Sequence, residues 1–236
     1  AEPLMGAGGL IIPPKNYFAL VQPVLKKNNI LFIADQVICG FGRTGNMWGS
    51  QTFDIEPDII TCAKGLSSAY APISAVLMSE NIAYEVEKQA IKLGQFGHGY
   101  TYSGHPVSSA VALKTLEIME KRNIINHVRK VSTIFSKRIS RLQKYECIGN
   151  VRSLGLIGAA EFVKPGTKRE KIDIAHKFAA TAVKKIHESG VILRALPIDA
   201  IAFCPPLIIT EDEINQMFDK IESVFPEMDQ IAKAYN

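Results

Sequence analysis

The stretch FIADQVICGFGRTG, residues 32–45, decides how this chain is read. An apolar run, ILFIAD, closes on a carboxylate, Asp35, and passes into a loop with glycines at 40, 42 and 45. In open α/β sheets, ligands bind beyond the carboxyl ends of the strands, where such loops and helix N-termini converge. A second apolar run, IEPDIITCAK, enters through Pro57 and ends on Lys64, with Gly65 and the small polar pair Ser67 and Ser68 behind it. A lysine is ordinarily a solvated surface group. One that ends an apolar run and precedes a glycine is also a candidate nucleophile, since a desolvated amine can form a Schiff base with a carbonyl. An aspartate facing the same pocket would hold a proton on a heteroaromatic nitrogen, as pyridoxal phosphate needs to act as an electron sink.

Outward from these two strands the pattern alternates. Residues 16–29 have helical spacing, with Pro23 tolerable only in a first turn or at a kink. PISAVLMS (72–79) is a third candidate strand, and NIAYEVEKQAI reads as a helix. A long helix, VSSAVALKTLEIMEKRN, follows Pro106, and another spans roughly 126–144. Beyond that, CIGNVRSLGLIGAAEFV reads as a strand pair around glycines, and DIAHKFAATAVKKIHESG as a helix with a C-terminal glycine. GVILRALPIDAIAFCPPLII supplies further strands, and TEDEINQMFDKIESVF a closing helix with Thr210 and Glu213 as its capping box. The alternation predicts an α/β first domain over 1–125 and a smaller α+β domain over 126–236.

Composition excludes several classes. With 47 % apolar and 21 % charged residues among 236, the chain can bury a substantial core. The net charge of +4 is spread over 27 basic and 23 acidic residues with no basic block interleaved with aromatics, so a nucleic-acid partner is not expected. No run approaches the roughly 18 apolar residues of a membrane helix, and no signal peptide is visible, so no membrane role is expected. The four cysteines, at 39, 62, 147 and 204, form no C-x-x-C pair and read as reduced, mostly buried thiols of a cytoplasmic protein. The opening AEPLMGAGGLIIPP has no initiator methionine and starts with an apolar, glycine-rich run, so a processed or truncated polypeptide is expected.

Single motifs remain weak. GFGRTG lacks the spacing and the distal acidic residue of a dinucleotide fingerprint, and no G-x-x-x-x-G-K-[ST] occurs. TYSGHP can donate hydrogen bonds to a phosphate or simply cap a helix. His98 and His105 have no metal-ligand spacing with other histidines or cysteines, so no metal is expected.

In combination these segments are specific. AEPLMGAGGLIIPP, FIADQVICGFGRTG, PDIITCAKGLSSAYAPISAV, TYSGHP and ILRALPIDAIAFCPPLIIT occur in the order and spacing of the class III (omega-type) aminotransferases, pyridoxal-phosphate enzymes of fold type I. The chain resembles the C-terminal half of that family, with a lean toward the amine:pyruvate (beta-alanine:pyruvate) branch. The resemblance implies part of the large, cofactor-binding domain, a mixed sheet with flanking helices, followed by a small α+β C-terminal domain. It implies transfer of an amino group from an amine or omega-amino acid to a 2-oxo acid such as pyruvate. Lys64 matches the lysine that forms the Schiff base with pyridoxal 5'-phosphate and moves the proton. Asp35 matches the carboxylate that pairs with the pyridine nitrogen, and Val37 the apolar residue on one face of the ring. Thr101 matches the threonine that reaches the cofactor phosphate of a neighbouring subunit, which implies a homodimer. Arg194 matches the arginine that pairs with a substrate carboxylate, for which its planar fork is suited.

The departures are local. Gln36 stands where the family usually has glutamate, and Ala69 where glycine is usual, at a backbone position that alanine restricts. The family's N-terminal half, with most of the phosphate cup and substrate pocket, is a further partner that the resemblance implies. A decarboxylase or aminomutase of the same fold, or a catalytically incomplete fragment, are the alternative readings.

Overall fold

The computed structural model describes residues 1–235 and is a mixed α/β structure of two compact units. The first holds residues 1–3, 14–41 and 46–123; the second holds 4–13, 42–45 and 124 onward.

The first unit is built on a three-stranded sheet of order β1-β2-β3, from β1 (Ile33–Asp35), β2 (Ile59–Cys62) and β3 (Ala75–Met78). β1 and β2 are parallel and β3 returns antiparallel. The helices are α1 (Tyr17–Lys27), a single turn α2 (Gly49–Thr52), α3 (Glu80–Leu93) and α4 (Pro106–Lys121). Pro106 starts α4, where its missing N–H leaves no helical bond unmade. Pro23 lies past the first turn of α1, so that helix continues through a position where the Ala19 carbonyl loses its donor. Two apolar clusters fill the unit. Phe18, Phe32 and Ile55 form one, and Phe41, Cys62, Leu66 and Ala112 the other. Three consecutive β3 residues, Val76, Leu77 and Met78, are exposed on both faces of the sheet, and α3 has no buried residue.

The second unit is a four-stranded antiparallel sheet of order β4-β5-β7-β6. Its strands are β4 (Ile148–Leu154), β5 (Ile157–Phe162), β6 (Arg194–Leu196) and β7 (Ala200–Phe203). α5 (Ile124–Ser140), α6 (Phe178–Glu188) and α7 (Glu211–Ala234) accompany it. Phe135, Phe162, Phe178, Phe203, Phe218 and Phe225 are fully buried and make the core. Residues 174–176 form a separate 3-10 turn, so α6 begins later than the apolar spacing suggests. Lys177 in front of α6 is left-handed and makes no side-chain cap; the carboxylate of Asp199, from the β6–β7 turn, accepts from Ala179 N instead (2.8 Å).

The capping box of Thr210 and Glu213 opens α7, which then runs through Pro226. Pro226 cannot donate to the Glu222 carbonyl four residues back. The Tyr145 hydroxyl donates to that same carbonyl (3.0 Å) and satisfies it. Three arginines hold the two distant segments of this unit in place. Arg152 donates to the carbonyls of Gly9 (2.5 Å) and Leu10 (2.7 Å), Arg129 to that of Gly45 (2.6 Å), and Arg43 to those of Leu156 (2.9 Å) and Pro205 (2.6 Å). Planar guanidinium forks suit this task, because each offers several donors in fixed directions.

Candidate active site

Asp35 and Lys64 are carried to the same end of the first sheet. Asp35 closes β1 in register with Thr61 of the parallel strand β2, and Lys64 follows β2 by two residues. The Asp35 backbone N–H donates to Ala1 O (2.9 Å), and its Oδ1 accepts from Val37 N (2.9 Å). This turn of the carboxylate onto its own loop fixes its direction. Among the described residues no other donor reaches it, so Oδ2 remains for one from outside the chain. Val37 is half-buried next to it.

Gln36 is the hinge of the loop. It is fully buried, its N–H donates to Thr61 O (2.8 Å), and its Oε1 accepts from Gly49 N (2.9 Å). The backbone can come this close because residue 49 is glycine; a Cβ there would lie 2.5 Å from Cys39 Cβ. The second amide atom, Nε2, is buried with no acceptor among the described residues.

Lys64 has a left-handed backbone, φ +47°, and begins a 3-10 turn that ends at Leu66. Its side chain is exposed. The turn continues into a second one, in which Tyr70 N donates to Ser67 O (3.0 Å) while Ser68 and Ala69 both have positive φ, +50° and +64°. That is the backbone of a type I′ turn, which favours asparagine and glycine at its centre. Buried Ser67 closes the loop by donating from Oγ to Ala71 O (2.6 Å).

Thr101 lies in an exposed stretch, 91–107, rich in aromatic side chains. Ser103 Oγ accepts from Tyr100 N (2.9 Å) in the turn before α4, and His105 makes no side-chain cap to that helix. His98 and His105 join no metal-binding group; no cluster of three or more candidate ligands occurs among the described residues.

Arg194, in the second unit, starts the edge strand β6 with an exposed side chain, paired by backbone register to Ala202 of β7. Cys204 follows β7. Although Cys204 is exposed as a residue, desolvation around its thiol pushes the pKa up, while Arg43 and Arg194 act in the opposite direction, which places both guanidiniums within electrostatic reach of it. A cleft of about 680 Å³ opens beside this strand, lined in part by Ile192, Cys204, Pro206 and Met217. All four cysteines are free thiols.

The sequence reading did not single out Phe41 or Arg43. The signal was an arginine and an aromatic inside a glycine loop, where the side chains serve to lock the loop rather than to decorate it.

The donor set fits pyridoxal phosphate. A carboxylate with one oxygen free suits a protonated ring nitrogen, and a primary amine at the neighbouring strand end suits the cofactor's aldehyde.

These features define a class. The family model "Aminotransferase class-III" matches residues 1–225, and the chain belongs to that family. It is 42 % identical over 236 residues to an uncharacterized aminotransferase of Sinorhizobium fredii, covering 99 % of this chain and 50 % of the relative. It is 45 % identical over 220 residues to a probable mitochondrial gamma-aminobutyrate transaminase 3 of Oryza sativa subsp. indica, covering 93 % of this chain and 43 % of the relative. Among solved structures, a transaminase with L-ala superposes with a TM-score of 0.94 at 44 % identity, over 98 % of this chain and 54 % of that one. The omega transaminase from Pseudomonas jessenii in complex with PMP gives a TM-score of 0.94 at 40 % identity, over 98 % of this chain and 51 % of the other. The fold is therefore that of the fold type I transaminases. The chain spans about half the length of the curated relatives it matches.

Proposed function

We propose that this chain carries the lysine half of a pyridoxal-phosphate-dependent aminotransferase that moves an amino group from an amine or omega-amino acid to a 2-oxo acid such as pyruvate. The observation that carries the reading is the delivery of Asp35 and Lys64 to one end of two parallel strands, with Asp35 already oriented by Val37 N. When bound, the cofactor would supply an electron sink for the pair released at the donor's amine-bearing carbon. Lys64 would hold the cofactor and, once freed as an amine, would take the proton from that carbon and return it to the carbon that was the cofactor's aldehyde. The exposure of its side chain leaves the amine able to reach both positions. Asp35 Oδ2 would hold the ring nitrogen protonated, and Val37 would pack against one face of the ring. Arg194 binds the carboxylate of the 2-oxo acid through its two parallel N–H donors.

The remaining partners are read from exposed surface. Val76, Leu77 and Met78 leave both faces of β3 open, and adjoining exposed apolar side chains of this kind mark a surface that another element covers. This supports a partner in the remainder of the protein, the N-terminal half, packed on the first unit. The exposed aromatic stretch around Thr101 supports a homodimer in which Thr101 reaches the neighbouring subunit's cofactor phosphate. Four free thiols support a reducing compartment, the cytoplasm. No helix among the described residues is long and apolar enough to cross a membrane.

The test is the visible absorbance of the cofactor-loaded, complete protein. Colour that bleaches with an omega-amino acid and returns with pyruvate is the expected result. Release of carbon dioxide in place of a reversible bleach would assign a decarboxylase.

A further inference from the structure

Phe41 is one of the least comfortable residues in the first unit. It is 2 % exposed, has φ +57°, and lies in the loop that Asp35 begins. Its ring packs against Trp48, with centroids 5.0 Å apart, in the cluster that also holds Cys62, Leu66 and Ala112. Cys62 and Leu66 stand two residues before and two residues after Lys64. The residue between Lys64 and Leu66 is Gly65, and a Cβ built there would lie 2.8 Å from Phe41 Cβ and 3.1 Å and 3.2 Å from its ring. The backbone carrying Lys64 therefore rests directly on Phe41, and only glycine permits that approach.

We propose that Phe41 is a positioning residue for Lys64: pressed against Gly65, it sets the height and direction of the lysine's turn relative to Asp35. The proposal rests on the role given to Lys64 above. Beyond residue 66 the loop is closed by Ser67 Oγ on Ala71 O, but that bond does not reach Lys64 or Gly65. The turn's own hydrogen bonds include Leu66 N to Ala63 O at 3.1 Å and Ser67 N to Lys64 O at 3.2 Å. Lys64 itself is in the left-handed region, which non-glycine residues seldom occupy without support from their surroundings. The support is the apolar cluster in which Phe41 packs with Cys62, Leu66 and Ala112, joined by Leu116 and Met119 of α4. Asp35, by contrast, is held by its own bonds to Ala1 and Val37. Displacing Phe41 or lifting residue 65 thus moves the amine while the carboxylate stays, which is the kind of change that alters proton transfer more than binding.

The experiment uses the complete, cofactor-loaded protein with Gly65→Ala and, separately, Phe41→Leu, which keeps an apolar side chain in the core. Cofactor content, kcat, KM for the amino donor and the pH titration of the bound cofactor's colour are measured for each. Gly65→Ala is expected to lower kcat about 10- to 100-fold, as expected of a sub-ångström to ångström misplacement of a reacting group. KM stays within about two-fold, and the colour titrates at a displaced pH. Phe41→Leu gives the same changes in smaller measure, and it decides the matter if Gly65→Ala does not fold. Variants that keep the parent's kcat and colour titration overturn the proposal. So does a loss of kcat that only tracks lost cofactor, since that is stability and not positioning. Lys64→Ala run alongside keeps the two claims apart: if borohydride still fixes cofactor to that variant, the role of Lys64 fails before that of Phe41 is reached.

Discussion

Ala69 sits at the centre of a type I′ turn where its φ is +64°, five residues beyond Lys64. Replacing it with glycine changes almost nothing but backbone freedom, because the residue is exposed and neither its amide nor its carbonyl enters the turn's closing bond. An L-residue in the left-handed region costs about 1–2 kcal/mol, through the approach of Cβ to the carbonyl oxygen. Glycine gives back about 0.5–1 kcal/mol of that through the greater entropy of its unfolded chain. Ala69→Gly should therefore stabilise the protein by about 0.5–1 kcal/mol, a rise of about 1–4 °C in Tm for a domain of this size. Urea unfolding followed by Trp48, the one tryptophan in the chain, reads the unit that holds the turn. The midpoint should move up with an unchanged slope. Gly94→Ala is the mirror test: φ is +74° and the space around it is open, so strain alone should destabilise by about 1 kcal/mol. An Ala69→Gly variant with an unchanged or lower midpoint would refute the strain argument.

Three further outcomes follow from buried and half-buried polar groups. Gln36→Glu keeps the acceptor for Gly49 N but puts a second, donorless oxygen where Nε2 is now buried. Its folded pKa is raised, so the variant should match the parent at acid pH and lose about 1–3 kcal/mol as pH rises through that value, read by urea unfolding at several pH values. Burial alone would push the Glu222 carboxyl up, but hydrogen bonds from Lys144 and Arg138 hold it below the usual carboxylate range. Its stabilisation is present above the unfolded pKa and lost as pH falls through the folded one, so Glu222→Gln should flatten the acid limb of a Tm–pH profile. Tyr145→Phe should cost about 1–2 kcal/mol by leaving the Glu222 carbonyl unpaired above Pro226. In a Pro226→Ala background, where a helical N–H returns, the same change should cost less, as a double-mutant cycle can measure.

The elements with strong local signals were legible. The apolar runs ending at Asp35 and Lys64 are strands β1 and β2, and Thr210 with Glu213 caps α7 as their spacing indicates. Family membership was legible too, because five separate segments share one order. What was not legible depends on contacts across long stretches of chain. α6 starts late because its cap is Asp199, twenty residues downstream, whereas Asp173 caps only the short turn before it. Residues 9 and 10 join the second unit through Arg152, more than 140 positions away, and no local pattern announces that arginine. Gln36 read as a lost charge, and its burial against Gly49 emerges only when loop and helix turn are brought together. Phe41 looked like a loop residue because a buried, left-handed phenylalanine has no sequence signature.

The central claim is that Lys64 is the amine that holds the cofactor. The complete protein, loaded with pyridoxal 5'-phosphate, reduced with borohydride and digested, gives the most direct measurement. Peptide mass spectrometry should find the reduced cofactor on Lys64 within CAKGLSSAY and nowhere else. A cofactor fixed to another lysine, or none fixed at all, would contradict the account.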